Sequence, residues 1–186
     1  LHATVHGIHF KKSMRWGDVD LAFARPVQWI VALLGTEVLP VVFGDVRAGR
    51  TSQGHRFLAP SPIVFGEAAE YEPGLETRHV IPDIAKRRAL TLVRVRAAAE
   101  RVGGRLLDDP ALLEQVTNLV ELPNAVTGTF DARHLDLPPE VLIQEMKGHQ
   151  RYFSVVDANG RLMPNFVAVS NTPVRDEKLS LRGYER

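Results

Sequence analysis

The sequence predicts an α+β fold with mixed, mostly antiparallel sheets and packed helices, because helical and strand-like segments intermix without a regular strand-helix-strand alternation. Three observations carry that expectation. Asp83 to Val102 places apolar residues at helical spacing between an Asp cap and a Gly-Gly stop, short apolar runs elsewhere are bounded by Gly and Pro, and Asp157-Ala158-Asn159-Gly160 separates two strand-like runs as a hairpin turn. The chain reads as a single α+β domain over residues 1–186.

The opening LHATVHGIHF has the look of neither a signal peptide nor a helix start, and with Leu1 in first place it reads as a piece cut from a longer protein. After Trp16, the apolar runs Val27 to Leu34 and Val38 to Phe43 flank Gly35-Thr36-Glu37, the pattern of a buried hairpin. Arg47 to Arg56 holds two glycines among polar residues and reads as a loop. Ile63 to Phe65 is strand-like, and a short helix around Ala68 to Tyr71 stops at Pro73-Gly74. In the helix from Asp83 to Val102, residues Ile84, Thr91, Leu92, Val95, Ala98, Ala99 and Val102 share the inward face. Lys86, Arg87, Arg94 and Arg101 are expected to line the opposite face, the arginines seven residues apart. Asp109-Pro110 opens a helix reaching Leu119, with an N-cap followed by proline at the first helical position. Val120 to Phe130 is extended, with a kink at Pro123. Pro138 to Lys147 forms a further helix ended by Gly148, and Tyr152 to Val156 pairs with Leu162 to Ser170 across the hairpin turn.

A hydrophobic fraction of 45% with 24% charged residues is ordinary for a globular protein, and a formal net charge of +1 confines any nucleic-acid contact to a local patch. The absence of cysteine excludes disulfides, Fe-S clusters and Cys-ligated zinc, and fits a cytoplasmic location. No apolar run approaches the roughly 20 residues that span a bilayer, so no membrane partner is expected.

Motifs with chemistry are sparse. His6 and His9 stand three residues apart, a spacing metal sites use, but without convergent ligands they read as surface histidines of a frayed terminus, and no metal is expected. Gly54-His55-Arg56-Phe57 admits two readings: a loop site in which His55 and Arg56 meet a phosphate, or a structural loop with Phe57 in the core and His55 bonded locally. His149-Gln150-Arg151-Tyr152-Phe153 either presents polar groups to RNA or is a helix-to-strand corner anchored by Tyr152 and Phe153. Arg87, Arg94 and Arg101 either follow an RNA backbone or form a solvated helix face. There is no G-x-S-x-G elbow, P-loop, H-E-x-x-H helix or EF-hand loop.

Several longer blocks carry a family resemblance: Lys12 to Gly17, Arg25-Pro26-Val27-Gln28-Trp29 with Val31-Ala32-Leu33, Gly54 to Phe57, Val116 to Glu121, and above all Pro138 to Gly160, PPEVLIQEMKGHQRYFSVVDANG. Together they resemble the beta subunit of bacterial heterotetrameric glycyl-tRNA synthetase, in its N-terminal segment preceding the HD-like domain. The closing Leu181 to Arg186 resembles the family's Gly-Asn-Glu-Arg run, with Tyr184 in place of Asn; Gln115 replaces a usual Glu and Leu122 a common Trp.

The resemblance implies an architecture similar to the editing-type domain of the phenylalanyl-tRNA synthetase beta subunit, here as a fragment of a longer subunit. It implies partnership with the synthetase alpha subunit, the remaining beta-subunit domains and tRNA(Gly). ATP is then used by the whole enzyme in the alpha subunit, with no cofactor in this fragment. The expected role is a non-catalytic module that supports the tRNA acceptor arm and the subunit architecture during ATP-dependent glycylation. Arg56, Arg87, Arg94, Arg101 and Arg151 are the candidate RNA contacts, and no catalytic residue is assigned. The alternatives are a purely structural inter-domain or inter-subunit module and a tRNA-editing hydrolase built around His55 or His149. Editing is the less needed, because a pocket fails chiefly at rejecting smaller competitors, where a missing methylene is worth about 1–3 kcal/mol, and glycine has none smaller.

Overall fold

The structure, a computed structural model, describes residues 2–18 and 20–173, so the Leu181 to Arg186 run lies outside the described residues. The chain divides into two units, Leu1–Val80 and Ile81–Arg186. Among the described residues no helix is long and apolar enough to cross a membrane.

The first unit begins with a short helix, α1 (His2–His6), where no helix start was expected. Its strands are β1 (Ile30–Val31), β2 (Leu33–Leu34), β3 (Glu37–Val38), β4 (Val42–Phe43), β5 (Val46–Gly49), β6 (Thr51–Gln53) and β7 (Pro62–Val64). The β2–β3 hairpin forms at Gly35, whose φ of 57° suits a two-residue turn, but it is not buried: Leu34 is 70% exposed. Arg47 to Arg56 is not one loop either. Its residues complete β5 and form β6, because β5 lies between β1, parallel, and β4, antiparallel, while β6 pairs with β7. Phe43 is buried and gathers the rings of His6, Phe23 and Trp16 around it. A 3-10 turn, Ala68–Glu70, runs into α2 (Tyr71–Glu76). Pro73 does not stop this helix because it sits in the first turn, where its missing amide has no intrahelical partner to lose. Gly74 is needed for packing: a Cβ there would lie 2.9 Å from Phe65 Cε1.

The second unit is a four-stranded antiparallel sheet with helices on both faces. The long helix α3 (Ile84–Arg101) starts where Asp83 accepts the amides of Ala85 and Lys86 at 2.7 and 3.1 Å. It ends in a Schellman motif: Gly103, at φ 78°, bonds Glu100 O and Gly104 bonds Ala99 O. β8 (Arg105–Leu106) follows, then α4 (Pro110–Leu119), capped by Asp109, and β9 (Asn124–Thr129), which starts one residue after the buried Pro123. A 3-10 segment, Ala132–Asp136, leads to α5 (Pro139–Glu145). The helix does not end at Gly148. It widens into a π turn over Met146–Gln150 and stops at Arg151, which takes left-handed dihedrals, φ 61°, so that Tyr152 N can bond Met146 O.

β10 (Phe153–Val156) and β11 (Leu162–Ser170) complete the sheet in the order β8-β10-β11-β9. Strand alternation divides the core between its faces. Phe153, Val155 and Val167 pack with Val95, Ala98 and Ala99 of α3 and Leu112, Leu113 and Val116 of α4. On the other face Tyr152, Phe166, Ala168 and Val126 meet Met146 and Leu142. The Phe166 ring stacks on Tyr152 at 4.3 Å, and at Gly128, opposite Phe166 in the ladder, a Cβ would fall 2.2 Å from Phe166 Cζ. Only glycine leaves room for that ring. Small antiparallel sheets with packed helices are thus the expected α+β class, with β1 and β5 as a parallel pair.

Candidate nucleic-acid interface

Arg87 and Arg94 do not lie opposite the buried face of α3. Arg87 and Arg94 each precede by four residues a wholly buried position, Thr91 and Ala98, and residues four apart share a helix face. They flank the core and are used in it. Arg87 Nε donates to Thr117 O at 2.9 Å, and its Nη1 to the carbonyls of Ile81 and Pro82. Thr117 lies in the last turn of α4, whose carbonyls have no intrahelical donor, so this guanidinium closes that helix against the entry of α3. Arg94 Nη1 donates to Pro123 O and to Asn124 Oδ1, fixing the entry to β9. A seven-residue step falls about 20° short of two turns. By Arg101 the drift has carried the side chain into solvent, where it has no bonded partner among the described residues.

Between α3 and the edge strand β9 runs a groove of about 460 Å³ lined by Arg94, Ala97, Arg101, Asn124, Ala125, Val126 and Pro173. Its walls offer one exposed and one committed guanidinium over a small apolar floor. A second hollow of about 270 Å³ on the same helix carries Arg88 and Arg96, which the sequence reading passed over; Arg96 pairs with Asp108 at 3.7 Å. Their signal was the density of cations between residues 86 and 101, not a spacing.

In the Gly54 to Phe57 loop the two sequence readings divide between neighbouring residues. His55 is wholly buried, its Nδ1 accepting the amides of Phe57 and Leu58 at 3.2 and 3.3 Å, which is a local structural role. Phe57 is not in the core. It is 73% exposed, and the exposed Arg56 places its guanidinium 5.8 Å from the ring centroid.

At the Lys147 to Arg151 corner, Tyr152 and Phe153 anchor the core as the second reading supposed. Arg151 folds back to donate to the carbonyls of Lys147 and Gly148, capping the π turn, and the exposed His149 lies 3.8 Å from Glu145. Lys147 pairs at 2.6 Å with Oδ2 of Asp109, whose Oδ1 caps α4 by accepting the Leu112 amide. Partial burial raises the Asp109 carboxyl, but the Lys147 hydrogen bond and charge, with the Leu112 and Ala111 amides, outweigh it and hold the group below its ordinary value. Among the described residues no cluster of three His, Cys, Asp or Glu side chains converges as for a metal ion.

The candidate residues therefore fall into separate places: Arg87, Arg94 and Arg101 along α3, Arg151 and His149 on the π turn, and Arg56 and His55 in the first unit. Comparison with known proteins settles the family. The family model described as Glycyl-tRNA synthetase beta subunit matches residues 1–186. The chain belongs to that family. It is 69% identical over 186 residues to the Glycine--tRNA ligase beta subunit of Myxococcus xanthus (strain DK1622), covering 100% of this chain and 26% of that protein. It is 50% identical over 182 residues to the subunit of the same name from Geotalea uraniireducens (strain Rf4), covering 98% of this chain and 26% of the relative. With that of Anaeromyxobacter dehalogenans (strain 2CP-C) the identity is 49% over 187 residues, covering 100% and 27%. The chain thus spans about a quarter of the length of the curated relatives it matches.

Within this beta-subunit segment, the Val116 to Glu121 block is a structural joint. Thr117 O receives Arg87, Glu121 O receives the Ile81 amide, and the amides of Glu121 and Leu122 donate to Asn171 Oδ1 at 2.7 and 3.1 Å. Gln115, one of the departures from the family pattern, points to solvent on α4, and Leu122, the other, is half-buried.

Proposed function

We propose that this chain is a non-catalytic part of the glycyl-tRNA synthetase beta subunit that supports the acceptor arm of tRNA(Gly) during ATP-dependent glycylation in the cytoplasm. The ATP and glycine sites belong to an alpha subunit, and the remaining beta-subunit domains are its other partners. The architecture is read as similar to the editing-type domain of the phenylalanyl-tRNA synthetase beta subunit.

The observation that carries this reading is the open groove between α3 and β9 with Arg101 on its wall, a guanidinium without a bonded partner among the described residues, in a chain of the synthetase family. Phosphate contacts by arginine supply sequence-independent affinity, and a groove beside an edge strand gives a backbone room to pass. Arg56 offers a further cation that has no hydrogen-bond or carboxylate partner among the described residues, whereas Arg87, Arg94 and Arg151 reach RNA only with whatever their bonds to backbone carbonyls leave over. The hydrolase reading gains nothing from His55, which is enclosed and holds two amides. The purely structural reading is favoured by one observation, the exposed apolar side chains of the first unit, among them Trp29, Leu34 and Val64.

The test is tRNA(Gly) binding by the intact synthetase over a salt series, comparing wild type with Arg101→Glu. The expected result is weaker binding and a log-log salt slope shallower by about 1. An unchanged affinity and slope would return Arg101 to a solvated helix face and the groove to the structural reading.

A further inference from the structure

Phe57 is a large aromatic side chain, 73% exposed, on a loop whose backbone is tied down by hydrogen bonds. Gly54 begins the loop where a Cβ would meet Ala59 O at 2.6 Å and Arg78 Cβ at 2.8 Å. His55 N donates to Arg78 O and Ala59 N to His55 O, both at 2.9 Å. The buried imidazole then holds the amides of Phe57 and Leu58 on one nitrogen, which must be unprotonated to accept them. The backbone that presents the ring is therefore set before any partner arrives, which removes part of the ordering cost of binding.

Its surroundings indicate what would cover it. The Arg56 guanidinium lies over the ring, and Arg78 stands against the base of the loop. Among the described residues neither arginine has a carboxylate partner. An apolar protein surface would satisfy the ring but strand two cations. A nucleotide carries an aromatic face and a phosphate within one residue, so it satisfies both.

We propose that Phe57 is a stacking platform for an unpaired nucleobase of bound RNA, with Arg56 and Arg78 placed to meet the flanking phosphates. The proposal rests on the RNA-binding reading of this chain and gives it a second, chemically different contact. Stacking on an aromatic side chain tolerates any base, so the platform recognises an unstacked nucleotide, not a sequence.

The experiment is binding of a tRNA(Gly) transcript by the intact synthetase over a salt series, with Phe57→Ala, Phe57→Trp and Arg56→Gln beside wild type. Phe57→Ala is expected to weaken binding about five- to a hundredfold with the salt slope unchanged, because the ring carries no charge. Phe57→Trp should stay within about threefold of wild type, and Arg56→Gln should lower the slope by about 1. Unchanged affinity in Phe57→Ala, beside an Arg101→Glu variant that does weaken binding, overturns the platform while the RNA reading stands. Insensitivity of binding to Arg101→Glu, Phe57→Ala and Arg56→Gln overturns the two together. If Phe57→Ala instead dissociates the subunits while leaving RNA affinity intact, the ring is a protein contact and the platform is again overturned.

Discussion

Replacing Arg87 with methionine keeps the aliphatic stem and removes the guanidinium that joins three carbonyls. Two of those carbonyls, Ile81 and Pro82, lie just ahead of α3, and the third, Thr117, lies in the last turn of α4, thirty residues away. A hydrogen bond from a charged donor contributes about 1.5–3 kcal/mol net, and a half-buried carbonyl left without a donor costs more than an exposed one. Counting the two shorter bonds and discounting for the partial exposure of the site gives a loss of about 2–4 kcal/mol. For a folding unit of this size that is a fall in Tm of roughly 8–20 °C. Arg87→Lys keeps the charge but has no planar fork to reach both sides, so it should recover less than about half of the loss. Arg101→Met, by contrast, should stay within about 0.5 kcal/mol of wild type. The assay is thermal and urea unfolding followed by circular dichroism, with tRNA binding measured on the same samples. A Tm within about 1 °C of wild type for Arg87→Met, together with weakened tRNA binding, would refute the clamp and make Arg87 an RNA contact. The expected result, a large loss of stability, means that charge reversal at Arg87 cannot by itself measure RNA contact.

Asp109→Ala removes both a helix cap and the Lys147 pair, and should cost about 1–2 kcal/mol in urea unfolding at neutral pH, whereas Asp109→Asn keeps the cap and should cost less than about 1. Because the folded carboxyl is held below its ordinary value, the advantage of wild type over Asp109→Asn is fully present above the unfolded value of 3.8 and is lost as pH falls through the lower folded value. Unfolding midpoints of the two proteins should therefore converge in strong acid, and a constant difference would sink the assignment. Gly128→Ala drives a methyl into the Phe166 ring and should cost at least about 1–3 kcal/mol, read as a lower urea midpoint at unchanged m-value.

The family was legible from contiguous blocks, and the α+β class from element types, but where each candidate residue points was not. Arg87 and Arg94 illustrate the difference. Their seven-residue spacing suggested an outward stripe, yet each sits one turn before a buried residue and donates to a carbonyl about thirty residues on. Nothing within one helical turn reveals that partner. Phe57 shows the converse, an aromatic that one of two readings placed in the core and that is found outside, because the backbone bonds that turn the loop are made by His55 and Arg78.

The sequence by itself determined several element ends: Asp83 and Asp109 as caps, Gly103-Gly104 as a Schellman stop, and Asp157 to Gly160 as a turn in which Asp157 Oδ1 accepts the amides of Asn159 and Arg161. These signals act within a few residues, so they survive in any fold that contains them. Tertiary structure alone decided the pairing of β1 with β5, the exposed β2–β3 hairpin, and the π turn that carried α5 past Gly148 to seat Met146. Each of those depends on which surface comes to lie against the segment, and burial against a distant partner outweighs a local preference of a kcal/mol or less.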